Sequence, residues 1–211
     1  MGSARLVKPS GGWIPDQSFT DLGARAAGGA GGARAKLEAW LDQLAAWNQK
    51  MDLTAARDAA ELVDLMVADA SVLAGRIPEG ARVVDVGTGA GAPGLALAIL
   101  RPDLPVTLAE PLTKRVSFMR TVIGALGLAN VDLRAVKGEA LRPEEGAGWD
   151  VATSRATLAP AEWLTLGLTL APHAWVLLAR EPAPEGNVVE TVEYTWPLGG
   201  AARRAVLYER G

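Results

Sequence analysis

The stretch of this 211-residue chain that most clearly carries chemistry is Val83-Val84-Asp85-Val86-Gly87-Thr88-Gly89-Ala90-Gly91-Ala92-Pro93-Gly94. An apolar run leads into alternating glycines and then into a helix-forming segment. Glycines at 87, 89 and 91 permit a tight turn and let a ligand lie against bare backbone. Glu110 ends the next apolar run, 25 residues after Asp85, where a carboxylate can accept hydrogen bonds from a ribose diol. Dinucleotide enzymes and methyltransferases both use this arrangement. Two residues favour the second. Asp85 stands before the first glycine, where a dinucleotide fold keeps an apolar residue. Pro93 removes one of the N–H groups that a pyrophosphate requires at a helix start. The expected cofactor is S-adenosylmethionine, bound by Asp85, Gly87, Thr88, Gly89 and Glu110.

Composition narrows the remaining chemistry. The chain has no cysteine and one histidine, His173, which argues against a zinc site, a thiolate nucleophile or a Ser-His-Asp triad, so no metal is expected. Apolar residues make up 49% and charged residues 21%, enough for a real core. No apolar run is long enough to span a bilayer. The first ten residues carry Arg5 and Lys8 but no apolar stretch, so no signal peptide is read and a cytoplasmic location is expected. The net charge of −3 argues mildly against nucleic acid, unless basic residues are locally concentrated.

The elements that must position the loop follow from periodicity. Residues 1–35 read as an extension, with a flexible joint at 23–35 that contains Gly28, Gly29, Gly31 and Gly32. From Lys36, the residues Leu37, Trp40, Leu41, Leu44 and Trp47 recur at helical spacing, and a second helix is expected over 58–74. Residues 36–78 thus form a helical preface, and 79–211 the main domain. Strands are expected at 81–86, 106–109, 131–136, 149–154, 174–179, 188–196 and 203–209, with helices over 94–100, 114–126 and 161–170. This alternation predicts an α/β, Rossmann-like class I methyltransferase fold. Its sheet is mostly parallel and ends in an antiparallel C-terminal hairpin.

Several separated blocks also carry a family resemblance. They are Trp47-Asn48, Leu53-Thr54-Ala55, Arg57-Asp58 with Glu61, the loop itself, Arg101-Pro102, Lys114-Arg115-Val116, Leu126-Gly127-Leu128 and Ser154-Arg155-Ala156. Together they resemble the glucose-inhibited division protein B family of bacterial small-subunit ribosomal RNA methyltransferases, which modify a guanine at N7. The resemblance implies that Gly87 and Ala92 touch the cofactor and that Glu110 replaces the usual Asp. It implies that Gly138 and Glu139 lie beside the adenine and that Arg155 lies near both cofactor and substrate. Lys114, Arg115 and Arg203 match basic positions suited to RNA phosphate, and the 30S subunit would be the partner.

The chain departs from the family mainly where the substrate would bind. Asp52 replaces Asn, Met66 replaces His in the segment ending Asp69-Ala70, Thr157 replaces an aromatic residue, Lys137 replaces Arg, and Arg180-Glu181 replaces Lys-Gly. A guanine N7 is already a nucleophile, so no general base is required. Asp52 or Asp69 could offset the positive charge that develops on the acceptor, with Arg155 as the third catalytic candidate. Substrate contacts are expected from Lys114, Arg115, Thr157, Arg180 and Arg203. Trp149, Trp163, Trp175 and Trp196 read first as core, with base stacking as the alternative. Two other functions stay open: methylation of a small planar metabolite, and a non-catalytic cofactor- or RNA-binding module.

Overall fold

The computed structural model describes residues 6–15, 29–142 and 148–211. Among these, seven strands form one sheet in the order β3-β2-β1-β4-β5-β7-β6. The strands are β1 (Val83–Val86), β2 (Val106–Ala109), β3 (Val131–Arg134), β4 (Val151–Ser154), β5 (His173–Leu178), β6 (Val188–Thr195) and β7 (Ala202–Glu209). β1 to β5 run parallel, and β7 inserts antiparallel between β5 and the edge strand β6. Strand order reverses between β1 and β4. That switch point opens a crevice beyond the strands' C-terminal ends, the usual ligand site of such sheets. β1, β2 and β4 are buried on both faces, as their β-branched runs require.

One face of the sheet carries α4 (Gly94–Leu100), α5 (Thr113–Leu126) and the helical preface; the other carries α6 (Pro160–Leu170). All seven residues of α4 are buried. A helix apolar all round needs cover on every side, and α1 (Gly29–Met51) and α3 (Asp69–Ala74) supply it. The preface therefore shares one core with the sheet. Its turns are shaped by residues first noticed through the resemblance. Asn48 Oδ1 accepts from the amides of Leu53 (2.7 Å) and Thr54 (3.0 Å). Asp58 caps α2 (Ala59–Val63) by accepting from Glu61 N, while Glu61 accepts from Arg57 N, a variant of the capping box.

Two expectations need correction, and one segment takes a definite place. α1 opens at Gly29, not Lys36, so the joint read at 23–35 is helical over 29–35; residues 16–28 lie outside the described residues. The described part of the extension, 6–15, is packed. Trp13 and Ile14 are buried, their amides donate to Glu38, and Trp13 Nε1 donates to Asp42 (2.8 Å). Finally, 58–74 is not one α-helix. A π-helical turn, Asp64–Ala68, lies between α2 and α3. It puts an extra residue into the turn, so Asp64 and Asp69 both aim at the β6–β7 hairpin. Asp64 accepts from Leu198 N (3.2 Å) and Gly199 N (2.6 Å).

Candidate active site

β1 ends in the glycine loop, and three residues hold that loop from different sides. Asp85 is fully buried beneath it, and its Oδ2 accepts from Gly94 N (2.8 Å), fixing the start of α4. Burial pushes its carboxyl up to about 6. Glu110, just past β2, accepts from Gly89 N (3.0 Å) and Leu112 N (2.9 Å), with Arg115 Nη1 at 3.4 Å. Thr157 lies across the first glycine, its hydroxyl 3.3 Å from the carbonyls of Val86 and Gly87. Gly87 has φ 69°, and a Cβ there would come within 2.2 Å of Thr157 Oγ1. Only glycine fits both the conformation and the space. Between these residues lies a cleft of 590 Å³ that Gly87, Thr88, Gly89, Ala92, Glu110 and Arg115 help to line.

A second cavity of 230 Å³ adjoins it beyond β4 and β5. Its aromatic wall is Trp163, Tyr194 and Trp196. Asp69 is buried there and accepts from Tyr194 Oη (2.8 Å) and Trp196 Nε1 (2.9 Å). Burial, with Asp69 beside it, drives the Tyr194 phenol far above its ordinary value, so it remains a donor. The Arg203 guanidinium lies 3.7 Å from the centre of the Trp196 ring.

Arg155 belongs to both cavities. It follows Ser154, whose hydroxyl donates to Val86 O (2.8 Å) and so ties the ends of β4 and β1 together. Arg155 Nη1 donates to the Leu65 carbonyl within the π-helical turn and lies 3.5 Å from Asp69 Oδ2. Ala156 next to it is left-handed (φ 52°), an unusual conformation for a residue with a Cβ.

The structure thus brings Gly87, Thr88, Gly89, Ala92, Glu110, Arg115 and Thr157 to the cleft, and Asp69, Arg155 and Arg203 to the aromatic pocket. Other expected site residues lie elsewhere. Asp85 supports the loop from below. Asp52 is exposed just past α1 with φ 46°, outside the set of cleft-lining residues. Lys114 Nζ donates to Met51 O (2.9 Å) at the end of α1. Gly138 packs behind β1, where a Cβ would meet Val86 Cγ1 at 2.5 Å, and Glu139 is exposed. Arg180 lines a neighbouring groove. His173 opens β5. Tyr194 was not anticipated. Its signal was the spacing to Trp196, two residues on and just past the end of β6, which keeps both rings on one side of the chain.

The family model described as rRNA small subunit methyltransferase G, the GidB family, matches residues 33–187. The chain belongs to this family. It is 44% identical to a protein from Sorangium cellulosum named ribosomal RNA small subunit methyltransferase G, over 58% of this chain and 53% of that protein. A protein of the same name from Anaeromyxobacter dehalogenans is 40% identical, over 64% and 63%. The chain spans less than two thirds of the length of these GidB relatives. Among solved structures, M. jannaschii TYW2 in complex with AdoMet aligns with a TM-score of 0.53 at 14% identity, over 68% of this chain and 75% of that one. TrmN from Thermus thermophilus aligns at 0.52 and 22% identity, over 72% and 49%. At those identities the likeness concerns the fold, a Rossmann-like methyltransferase sheet. Among the described residues no helix is long and apolar enough to cross a membrane.

Proposed function

We propose that the chain is an S-adenosylmethionine-dependent methyltransferase of small-subunit ribosomal RNA, acting in the cytoplasm on the N7 of a guanine within the 30S subunit. The observation that carries this reading is the pair of adjoining cavities meeting at Arg155, one walled by glycine-loop backbone and the other by aromatic rings.

The larger cleft suits the cofactor. Its 590 Å³ lies within the usual range for small-molecule sites. Glu110 Oε2 accepts from Gly89 N and Arg115 Nη1 and its Oε1 from Leu112 N, which leaves Oε1 a lone pair for a ribose hydroxyl. The bare backbone at Gly87 admits close approach, and Leu112, 47% exposed beside Glu110, offers an apolar surface to a flat ring. When bound, the sulfonium supplies an activated methyl group for in-line displacement. The protein's own task is to hold the acceptor in line and to keep water out.

The smaller cavity suits the acceptor. Asp69 lines it and Asp52 does not, so the role of offsetting charge on the methylated base falls to Asp69. Its carboxylate is positioned by Tyr194 and Trp196 on one oxygen and faces the Arg155 guanidinium with the other. Arg155 orients the boundary between the cavities. Arg115 and Thr157 edge the cofactor side, and Arg203 the acceptor side.

A small planar metabolite is the second reading. The cavity's modest 230 Å³ and the Glu181 carboxylate on its wall favour it. Incubation with methyl-labelled cofactor and either 30S subunits or a small-molecule extract separates the readings. Label in rRNA supports the first and label in a small product the second. Retained cofactor binding with no label in either would overturn both.

A further inference from the structure

Past the end of β5, the carboxylate of Glu181 folds back onto its own backbone. Its Oε2 accepts from the amides of Ala179 and Arg180, each at 3.0 Å. These amides, that of Glu181 itself and the charge of Arg203 hold the carboxyl below its ordinary value. Glu181 stands where the aromatic pocket meets a polar groove of 510 Å³. Arg180, Arg203 and Arg204 all line that groove. A second carboxylate, Glu193, is present, and Arg204 holds it at 3.2 Å. Two adjacent amides in a groove lined by three arginines suit an anion, and the anion they now hold is the chain's own; Arg203 lies over Trp196 and Arg204 pairs with Glu193.

We propose that this groove binds a phosphate carried by the methyl acceptor, and that Glu181 occupies the site as an internal stand-in until the phosphate displaces it. The inference rests on the aromatic pocket being the acceptor site, because the groove shares a wall with it at Ala179, Glu181, Tyr194 and Arg203. A phosphate offers more acceptor oxygens than one carboxylate, so it can use the amides and the arginines together. Exchange of the two anions leaves the amides satisfied in both states. Both amides are exposed, so the competitor has only to outbind the Glu181 carboxylate and water. The site therefore favours acceptors that carry phosphate over bare bases.

The test is a titration of the full-length chain, followed through the backbone amide resonances of Ala179 and Arg180. The probes are inorganic phosphate, guanosine monophosphate and a guanosine dinucleotide with one phosphodiester. For Glu181→Gln, which keeps an acceptor for the amides but loses the charge, half-shift should come at about tenfold lower concentration than in the wild type. Glu181→Gly should behave alike, and adding Arg203→Ala should cancel the gain. Tightest binding of the diester identifies an RNA source, and of the monoester a mononucleotide source. Absence of shifts at these two amides, or equal half-shift concentrations in wild type and both Glu181 variants, would overturn the proposal. The titration needs neither cofactor nor turnover, so its failure is distinct from failure of the methyltransferase reading.

Discussion

Asp64 and Asp69 stand five residues apart on the preface, and both accept hydrogen bonds from the C-terminal hairpin. An α-helix would turn one of them away; the π-helical turn between them does not. The preface thereby holds both the β6–β7 turn and the aromatic wall of the smaller cavity.

Asp64→Ala removes the acceptor for Leu198 N and Gly199 N inside a packed junction. It should lower unfolding free energy by about 1 kcal/mol, the loss of hydrogen bonds to two partly buried donors. Denaturant melts measure it, and a loss near zero would mean the hairpin turn finds other partners.

Asp69→Asn should cut methyl transfer strongly while leaving cofactor affinity near that of the wild type, because Asp69 lines only the acceptor cavity. Its Oδ1 can still accept from Tyr194 and Trp196, while its amide nitrogen would face the Arg155 guanidinium in place of Oδ2. Asp52→Ala should leave turnover within about twofold of wild type, since the residue is exposed and off the cleft. Single-turnover assays with separate cofactor titrations discriminate the two, and a large loss in Asp52→Ala would move the charge-offsetting role back to that residue.

Gly87→Ala should weaken cofactor binding by about tenfold or more. The new Cβ meets Thr157 and forces a left-handed conformation on a residue that resists it. Thr157→Gly in the same chain should restore part of the affinity by clearing the space, leaving the backbone cost. Calorimetric titration with cofactor reads both; no recovery would show that Thr157 is not the obstacle.

Asp85 gives a pH signature. Its folded carboxyl titrates near 6 against an ordinary 3.8, so the folded chain holds this proton more tightly than the unfolded chain. Stability from this group is complete below about pH 4 and is lost as pH rises towards 6, by about 3 kcal/mol in all. Asp85→Asn keeps an acceptor for Gly94 N and cannot titrate. The stability of Asp85→Asn relative to wild type should therefore rise across this window and then level off. Parallel curves in urea melts would contradict the buried, titrating carboxyl.

The scaffold was legible because its signals are local. Valine pairs mark strands, the glycine loop breaks one period and opens another, and Gly199-Gly200 separates the last two strands. The cleft at the glycine loop was legible for the same reason, with Glu110 at the next strand end. The aromatic pocket was not, because its members come from four distant segments and meet only through packing. Leu65 contributes a carbonyl and no distinctive side chain. Trp196 looks like core in sequence because most of its surface is in fact buried. Glycine content misled at 29–35, where tertiary packing along α1 outweighs weak helix propensity. Asp85 and Lys114 were chemically suggestive, yet both satisfy backbone groups: an amide of α4 and a carbonyl of α1.

Arg155 has a thermodynamic meaning beyond its contacts. Its guanidinium faces both cavities, and any rearrangement that one ligand imposes on it is felt by the other. If cofactor binding fixes Arg155 in the form the acceptor prefers, the acceptor must tighten cofactor binding by the same factor. Under that condition one arginine makes the two neighbouring cavities a single linked equilibrium, with the preface's π-helical carbonyl as its third partner.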